Sequence, residues 1–374
     1  MLLHHVRNSG PIGRAEIARA TGLSTQAVSN IIADLLEDDL LIEYGTAHRG
    51  RGLPVMRYAL NSRGGYALGF EVRPNALFGA LLDFSGQSVF STRISLPGST
   101  PDHVRGPLEA LLAETMSSTK EAASRCLGAG VVLPGPFGQT GIAGNASELS
   151  GWTGIDPTEW FEDVLGQPVT VEKDANAAAM AERVSGVAQE INTYAYLYFG
   201  AGLGLGMVQD GRLVIGANGN AGEIGHISVP LRGEVDDLEN LVSRLSVQKT
   251  LINAGQKAET SEDLERLFEN GDPALLTWLK DASHALSVAV GLIENLFDPE
   301  AVVLGGAMPA AILDELVART VPPEQSVANR PDRAHPRLLR GTTGRMTATL
   351  GAAALVLDHA FTPKIAIAER RATA

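Results

Sequence analysis

Residues 193–219, TYAYLYFGAGLGLGMVQDGRLVIGANG, leave the chain few ways to fold. Aromatic and aliphatic residues fill the start, and glycines, poor helix formers, punctuate the rest. The stretch reads as strands joined by glycine-rich turns. Other segments share this texture. YALGFEVRPNALFGALLDFSG (66–86) reads as two strands with Gly86 at a turn. GAGVVLPGPFG (128–138) reads as a buried strand running into a Pro/Gly loop, and PEAVVLGGAM (299–308) as a buried strand ending in Gly305-Gly306. Helical stretches at 105–118, 174–185 and 278–296 lie between them. Strands alternating with helices specify an α/β architecture.

The first 62 residues have another texture. In GRAEIARATGLSTQAVSNIIADLLEDDLL, Val28, Ile31, Ile32, Leu35 and Leu36 form one apolar stripe at helical spacing. Ser24 is placed to cap that helix, and Gly22 to end the one before it. Two helices, near 14–21 and 25–38, are expected to meet at a tight turn. The small Ala18, the turn glycine Gly22 and the aliphatics Val28 and Ile31 have the spacing of a helix-turn-helix. LLIEYGTAHRGRGLPVMRYALN then alternates, turns through a Gly- and Arg-rich tip and alternates again, as a β-wing does. Residues 1–62 resemble a winged helix-turn-helix; few residues precede its first expected helix, so the upstream helix is expected to be short or incomplete. Ser24, Thr25, Gln26, Ser29 and Asn30 can face base edges, and Arg49 and Arg51 can reach phosphate or a minor groove. The bland alternative for these residues is a solvated helix face and a charged hairpin tip.

Charge supports two units. Six arginines balance six acidic residues in 1–62, so the net charge of −13 belongs to 63–374. The first unit can approach phosphate, whereas the second is repelled by it. A chain of 374 residues is long for one domain, and no apolar run is long enough to span a bilayer. Cys126 is the only cysteine, which excludes an internal disulfide; a cytoplasmic location is expected.

Within residues 63–374, VVLPGPFG, KDANAAAMAE, GNAGEIGH, LENLVS and DPEAVVLGGAM resemble the ROK family of bacterial sugar kinases and sugar-responsive repressors. The resemblance implies an actin-like, ribonuclease-H-like fold of two lobes, with a C-terminal helix returning to the first. Repressor members carry a winged N-terminal unit and kinase members lack it. The resemblance also implies that Asp174 holds the position of the base that deprotonates the attacking sugar hydroxyl. Glu223, His226 and Glu239 match sugar-contacting positions. Lys173 and Glu148 stand where asparagines are common. Lys173 is thus placed to reach a hydroxyl, to pair with Glu172 or to favour an acidic ligand. Asp174 also reads as a helix cap, and His226 alone as a hydrogen-bonded core histidine.

Two departures bear on chemistry. Family members often carry a cysteine cluster after GEIGH that binds zinc with the histidine; here ISVPLRGEVDDLE has none, so no zinc is expected. The family's first phosphate hairpin runs Asp-x-Gly-Gly-Thr. Here it is Glu71-Val72-Arg73-Pro74-Asn75, and Pro74 lacks the N–H an anion needs. Ala201 replaces the threonine of the second hairpin. The expectation is a sugar-binding unit with no catalytic residue and no cofactor, Asp174 being a vestigial base. It would be joined to an operator-binding unit in a homo-oligomer, dimer or tetramer, without membrane contact. A sugar kinase with an accessory unit, and a regulator answering to a protein partner, are the alternatives.

Overall fold

The computed structural model describes residues 2–47, 55–135, 151–152 and 154–361. The N-terminal unit contains α1 (Leu2–Ser9), β1 (Ile12–Gly13), α2 (Arg14–Thr21), α3 (Thr25–Glu37), β2 (Leu41–Ala47) and β3 (Val55–Leu60), with the strands in the order β1-β3-β2. Gly22 ends α2 at φ 70°, and the Ser24 hydroxyl accepts the Ala27 N–H at 3.2 Å to cap α3. The predicted stripe turns Val28 and Ile32 inward against Ile17 and Tyr58, and Ile31, Leu35 and Leu36 flank them. The upstream helix, α1, is a short one of 8 residues.

The first lobe holds β4 (Tyr66–Arg73), β5 (Ala76–Asp83), β6 (Ser88–Ser95), α4 (Pro101–Ser117), β7 (Cys126–Leu133), α5 (Pro157–Leu165), β8 (Val169–Lys173) and α6 (Asp174–Ser185). Its sheet order is β6-β5-β4-β7-β8, antiparallel on the β5 side and parallel from β4 through β8. The second lobe begins with β9 (Tyr194–Phe199), β10 (Leu203–Gln209), β11 (Arg212–Leu213), β12 (Ser228–Leu231), β13 (Glu234–Asp237), α7 (Leu238–Leu241), α8 (Arg244–Asn253) and α9 (Ser261–Glu269). It continues with α10 (Pro273–Phe297), β14 (Ala301–Gly306), α11 (Ala310–Arg319) and β15 (Leu338–Arg340), and α12 (Thr347–Phe361) follows. The second sheet runs β11-β10-β9-β14-β15.

Two helices hold the lobes together. The C-terminal helix α12 lies on β4 and β7 of the first sheet, α6 lies on β9 and β10 of the second, and the two helices pack on each other. Their sequences allow an unusually close approach. A Cβ on Gly351 would strike the Ala177 carbonyl, and one on Gly206 the Ala175 carbonyl. The alanines of KDANAAAMAE are therefore the surface on which both sheets meet.

Some boundaries move. The helix expected at 105–118 starts at Pro101, and the one expected at 278–296 starts at Pro273; both prolines sit in the first turn, where a missing N–H costs nothing. The helix at 174–185 is as expected, but its cap residue is Lys173; Asp174 is the first residue inside it.

Candidate functional site

A cleft of about 1000 Å³ opens between the lobes. Lys173, Asp174, Glu223, His226 and Glu239 all line it, so five predicted sugar-side residues from three separate motifs converge. Glu148 lies outside the described residues. Asp174 is delivered by the β8–α6 junction, and its Oδ1 accepts the Ala175 N–H at 2.7 Å. This bond satisfies one of the N–H groups that a helix start leaves open, so the residue serves the helix without being its cap. A Cβ on Gly200 would come within 3.3 Å of Asp174 Oδ2, so the β9–β10 turn closes over this carboxylate at glycine.

For Lys173 the structure sets aside one of the three alternatives, the pairing with Glu172. The Glu172 Oε1 accepts the Lys173 backbone N–H and the Asn176 side-chain amide. The Lys173 ammonium donates to Glu223 Oε1 at 2.8 Å and to the Ala221 carbonyl at 2.9 Å. The lysine side chain is 5% exposed and the glutamate 29%. Its stem runs past Gly135, where a Cβ would collide with it. The pair fixes the Glu223 carboxylate and leaves its outer face open to the cleft.

His226 ends a short turn at Ile224–His226, and its Nδ1 lies 4.0 Å from Glu239 Oε1. Both side chains are partly exposed to the cleft, so this is not a core histidine. The segment after it folds as the β12–β13 hairpin. Among the described residues no group of three or more histidine, cysteine, aspartate or glutamate side chains is placed to hold a metal ion.

Another part of the cleft wall is arginine-rich, a feature that the sequence motifs did not predict. At the β4–β5 hairpin, the buried Glu71 accepts Arg73 Nε at 2.6 Å and the Thr349 hydroxyl at 2.6 Å. The Arg73 guanidinium stacks over Phe78 at 4.5 Å. Burial opposes its charge, but Glu71, with Tyr198 and Asp174 nearby, more than offsets this and raises its pKa above the usual range. Arg93, Arg244 and Arg345 line the same cleft. Gly305 and Gly306 border a separate cavity of about 210 Å³ that meets the cleft at Arg345.

In the N-terminal unit, Thr25, Gln26 and Asn30 are exposed along α3, and Ser29 is half-buried. The Gln26 amide donates to Asn30 Oδ1 at 3.0 Å, which fixes two polar heads side by side. Arg49 and Arg51 lie outside the described residues. The unit is fastened to the rest of the chain. Arg125 bonds Asp39 at 2.6 Å and the Arg63 carbonyl at 3.1 Å, and Arg7 lies over Phe361 at 4.8 Å.

A family profile described as "ROK family" matches residues 71–359. A xylose repressor from Bacillus spizizenii is 24% identical over 365 residues, which cover 96% of this chain and 94% of the repressor. A solved ROK family transcriptional regulator, described as a homologue of the E. coli MLC protein, superposes with a TM-score of 0.68 at 23% identity, covering 96% and 94% of the two chains. A ROK hexokinase from Thermus thermophilus has a TM-score of 0.60 at 25% identity, covering 79% of this chain and 99% of the hexokinase. The fold is thus shared with a transcriptional regulator over nearly its whole length, and with a hexokinase over 79% of this chain.

Proposed function

The chain belongs to the ROK family, and we propose that it is a sugar-responsive transcriptional repressor whose kinase-like unit binds its ligand without transferring phosphate. One observation carries the reading: a winged unit with an exposed Thr25-Gln26-Asn30 face is joined to a cleft furnished for hydroxyls but not for a triphosphate. Asp174, the held Glu223 and the His226–Glu239 pair offer acceptors and a switchable donor to a polyol. A site of this kind rejects wrong epimers by leaving buried polar groups unmet. On the donor side, Pro74 has no N–H to offer, Arg73 stands where a glycine would admit phosphate to the backbone, and Ala201 lacks a hydroxyl. Each lost donor forfeits about 1–3 kcal/mol of phosphate stabilisation.

In this reading, Ser24 caps the reading helix, Thr25, Gln26, Ser29 and Asn30 face bases, and Arg49 and Arg51 reach the DNA backbone. Sugar binding alters the closure of the lobes and thereby the placement of paired winged units in a homo-oligomer. Half-sites about one helical turn apart suit a two-fold assembly. The near-complete alignment with a xylose repressor supports the reading and makes xylose the first effector to test.

The test is direct. An operator is selected from random duplexes by the full-length protein, and its affinity is then titrated with xylose, other aldoses and their derivatives. A bound effector should weaken DNA binding by about 5–150-fold, the range of ordinary coupling energies of about 1–3 kcal/mol. Operator binding that no sugar shifts would sink sugar control and favour a protein partner. Sugar-dependent turnover of ATP would sink the non-enzymatic assignment.

A further inference from the structure

Three arginines far apart in sequence line the cleft: Arg73 on β4, Arg244 at the start of α8 and Arg345 before α12. Their pairing is incomplete. Arg73 spends its Nε on Glu71, but its Nη2 is buried with no partner among the described residues. Arg244 Nε is buried in the same condition, and its Nη2 makes only a 3.4 Å contact with the Glu259 carbonyl. Arg345 has a 3.3 Å ion pair with the exposed Glu262. A buried donor without an acceptor is costly, so such a site is poised for an acceptor-rich group. Guanidinium forks match phosphate oxygens two at a time.

From this arrangement, and resting on the sugar-binding reading above, we infer that the effector is a phosphorylated sugar, its phosphate monoester held by Arg73, Arg244 and Arg345. The position of the phosphate follows from Asp174. In the sugar-binding reading that carboxylate grips a sugar hydroxyl, and Arg73 is close enough to feel its charge. A phosphate carried on that hydroxyl enters the reach of Arg73 directly. The repulsion between phosphate and Asp174 is offset by the three cations around it. The arginines already repel one another: burial, then the nearby charges of Arg73 and Arg345, lowers the pKa of Arg244. A dianion relieves that repulsion. A nucleoside triphosphate fits less well, because Pro74 removes a backbone donor from the hairpin that would wrap its terminal phosphate.

Calorimetric titration of the full-length protein tests the inference with xylose, glucose, mannose and galactose. Each is titrated as the free sugar and as a phosphate monoester (the 6-phosphates of the hexoses and xylose 1-phosphate). Inorganic phosphate and Mg–ATP are run alongside. At least one ester should bind at least 10-fold tighter than its parent sugar and than inorganic phosphate. That preference should fall at least 10-fold in Arg244→Gln and in Arg345→Gln. The second variant changes a half-exposed side chain and serves if the first does not fold. A free sugar bound as tightly as its ester overturns this inference and leaves the sugar reading standing. So does an ester preference that survives both substitutions. Inorganic phosphate or ATP bound as tightly as any ester also overturns it. No binding by any sugar or ester removes both readings.

Discussion

Lys173 and Glu223 are fifty residues apart in the chain and 2.8 Å apart in the fold. Their burial is unequal, and the inequality decides what each contributes. Glu223→Ala would strand an ammonium that is 5% exposed, with only the Ala221 carbonyl beside it. Lys173→Met would strand a carboxylate that is 29% exposed, which water can reach. Breaking a buried pair from the side that leaves the deeper charge is the costlier cut. Glu223→Ala should therefore destabilise the protein by about 3 kcal/mol, the low end for such pairs, and Lys173→Met by less. Urea unfolding of both variants measures the order, and a reversed order would refute the account. The sequence showed both residues as site members because each sits in a recognisable motif. It did not show their bond, since nothing local links β8 to the loop before β12. Arg244 and Arg345 were missed for the same reason in stronger form: neither belongs to a motif, and only tertiary structure brings them to Arg73.

Helix α10 is read best by its two faces. Ala282, Leu286, Ala289, Val290 and Ile293 are buried on the second-lobe core, as its apolar sequence suggested. Toward its C-terminal end, however, Leu292, Leu296 and Phe297 are 44%, 72% and 39% exposed. The segment held against this helix by Ser287 and Asn295 adds the exposed Val321 and Val327. Large apolar side chains gathered on one face usually mark an interface, and a repressor reading paired half-sites requires one. Leu296→Glu should convert a homo-oligomer into protomers in sedimentation velocity, and lower operator affinity at least 10-fold at equal protomer concentration. Unchanged sedimentation of the variant would remove this face from the assembly. Periodicity made the helix legible but not this division of its surface, because an apolar residue reads alike whether core or partner covers it. Helix α3 was clearer, since its inward stripe and polar outward face differ in chemistry.

Across the molecule, α6 runs from the cleft toward the seat of the N-terminal unit. It begins at Asp174 in the cleft and runs to Ser185, with Arg183 in its last turn, about 14 Å from Asp174 at 1.5 Å per residue. There Arg183 Nε lies 4.0 Å from Asp358 of α12, and Arg7 of α1 covers Phe361 of the same helix. Beside Arg183, the buried Glu182 accepts the N–H and hydroxyl of Thr343 at 3.0 and 2.7 Å, tying the end of α6 to the segment between β15 and α12. The expected consequence is that a shift of the lobes is felt where the winged unit is seated, which the Arg183 substitution below tests. The sequence made the alanines of α6 conspicuous, but not the Gly351 surface of α12 that they meet, nor the seat of α1 at their far end. His4 makes that seat sensitive to pH. Burial, then the charges of Arg183 and Arg7, holds its imidazole down at about 4, and its Nδ1 lies 3.3 Å from Arg7 Nη2. A group depressed in the docked state takes up a proton on release. Its contribution is therefore complete above about pH 6.5 and declines as pH falls toward about 4. His5 lies beside it, and Asp358, raised by burial, titrates in the opposite sense, so the wild type alone does not isolate the imidazole. The difference in melting temperature between wild type and His4→Gln does. That difference should move against the wild type as pH is lowered from 6.5 to 4, and a difference constant across this window would show that the imidazole does not gate the docking of α1. Arg183→Met examines the same joint from the other side. It should leave operator and sugar binding separately measurable while reducing the sugar-induced loss of DNA affinity severalfold. An undiminished response would place the coupling elsewhere than the far end of α6.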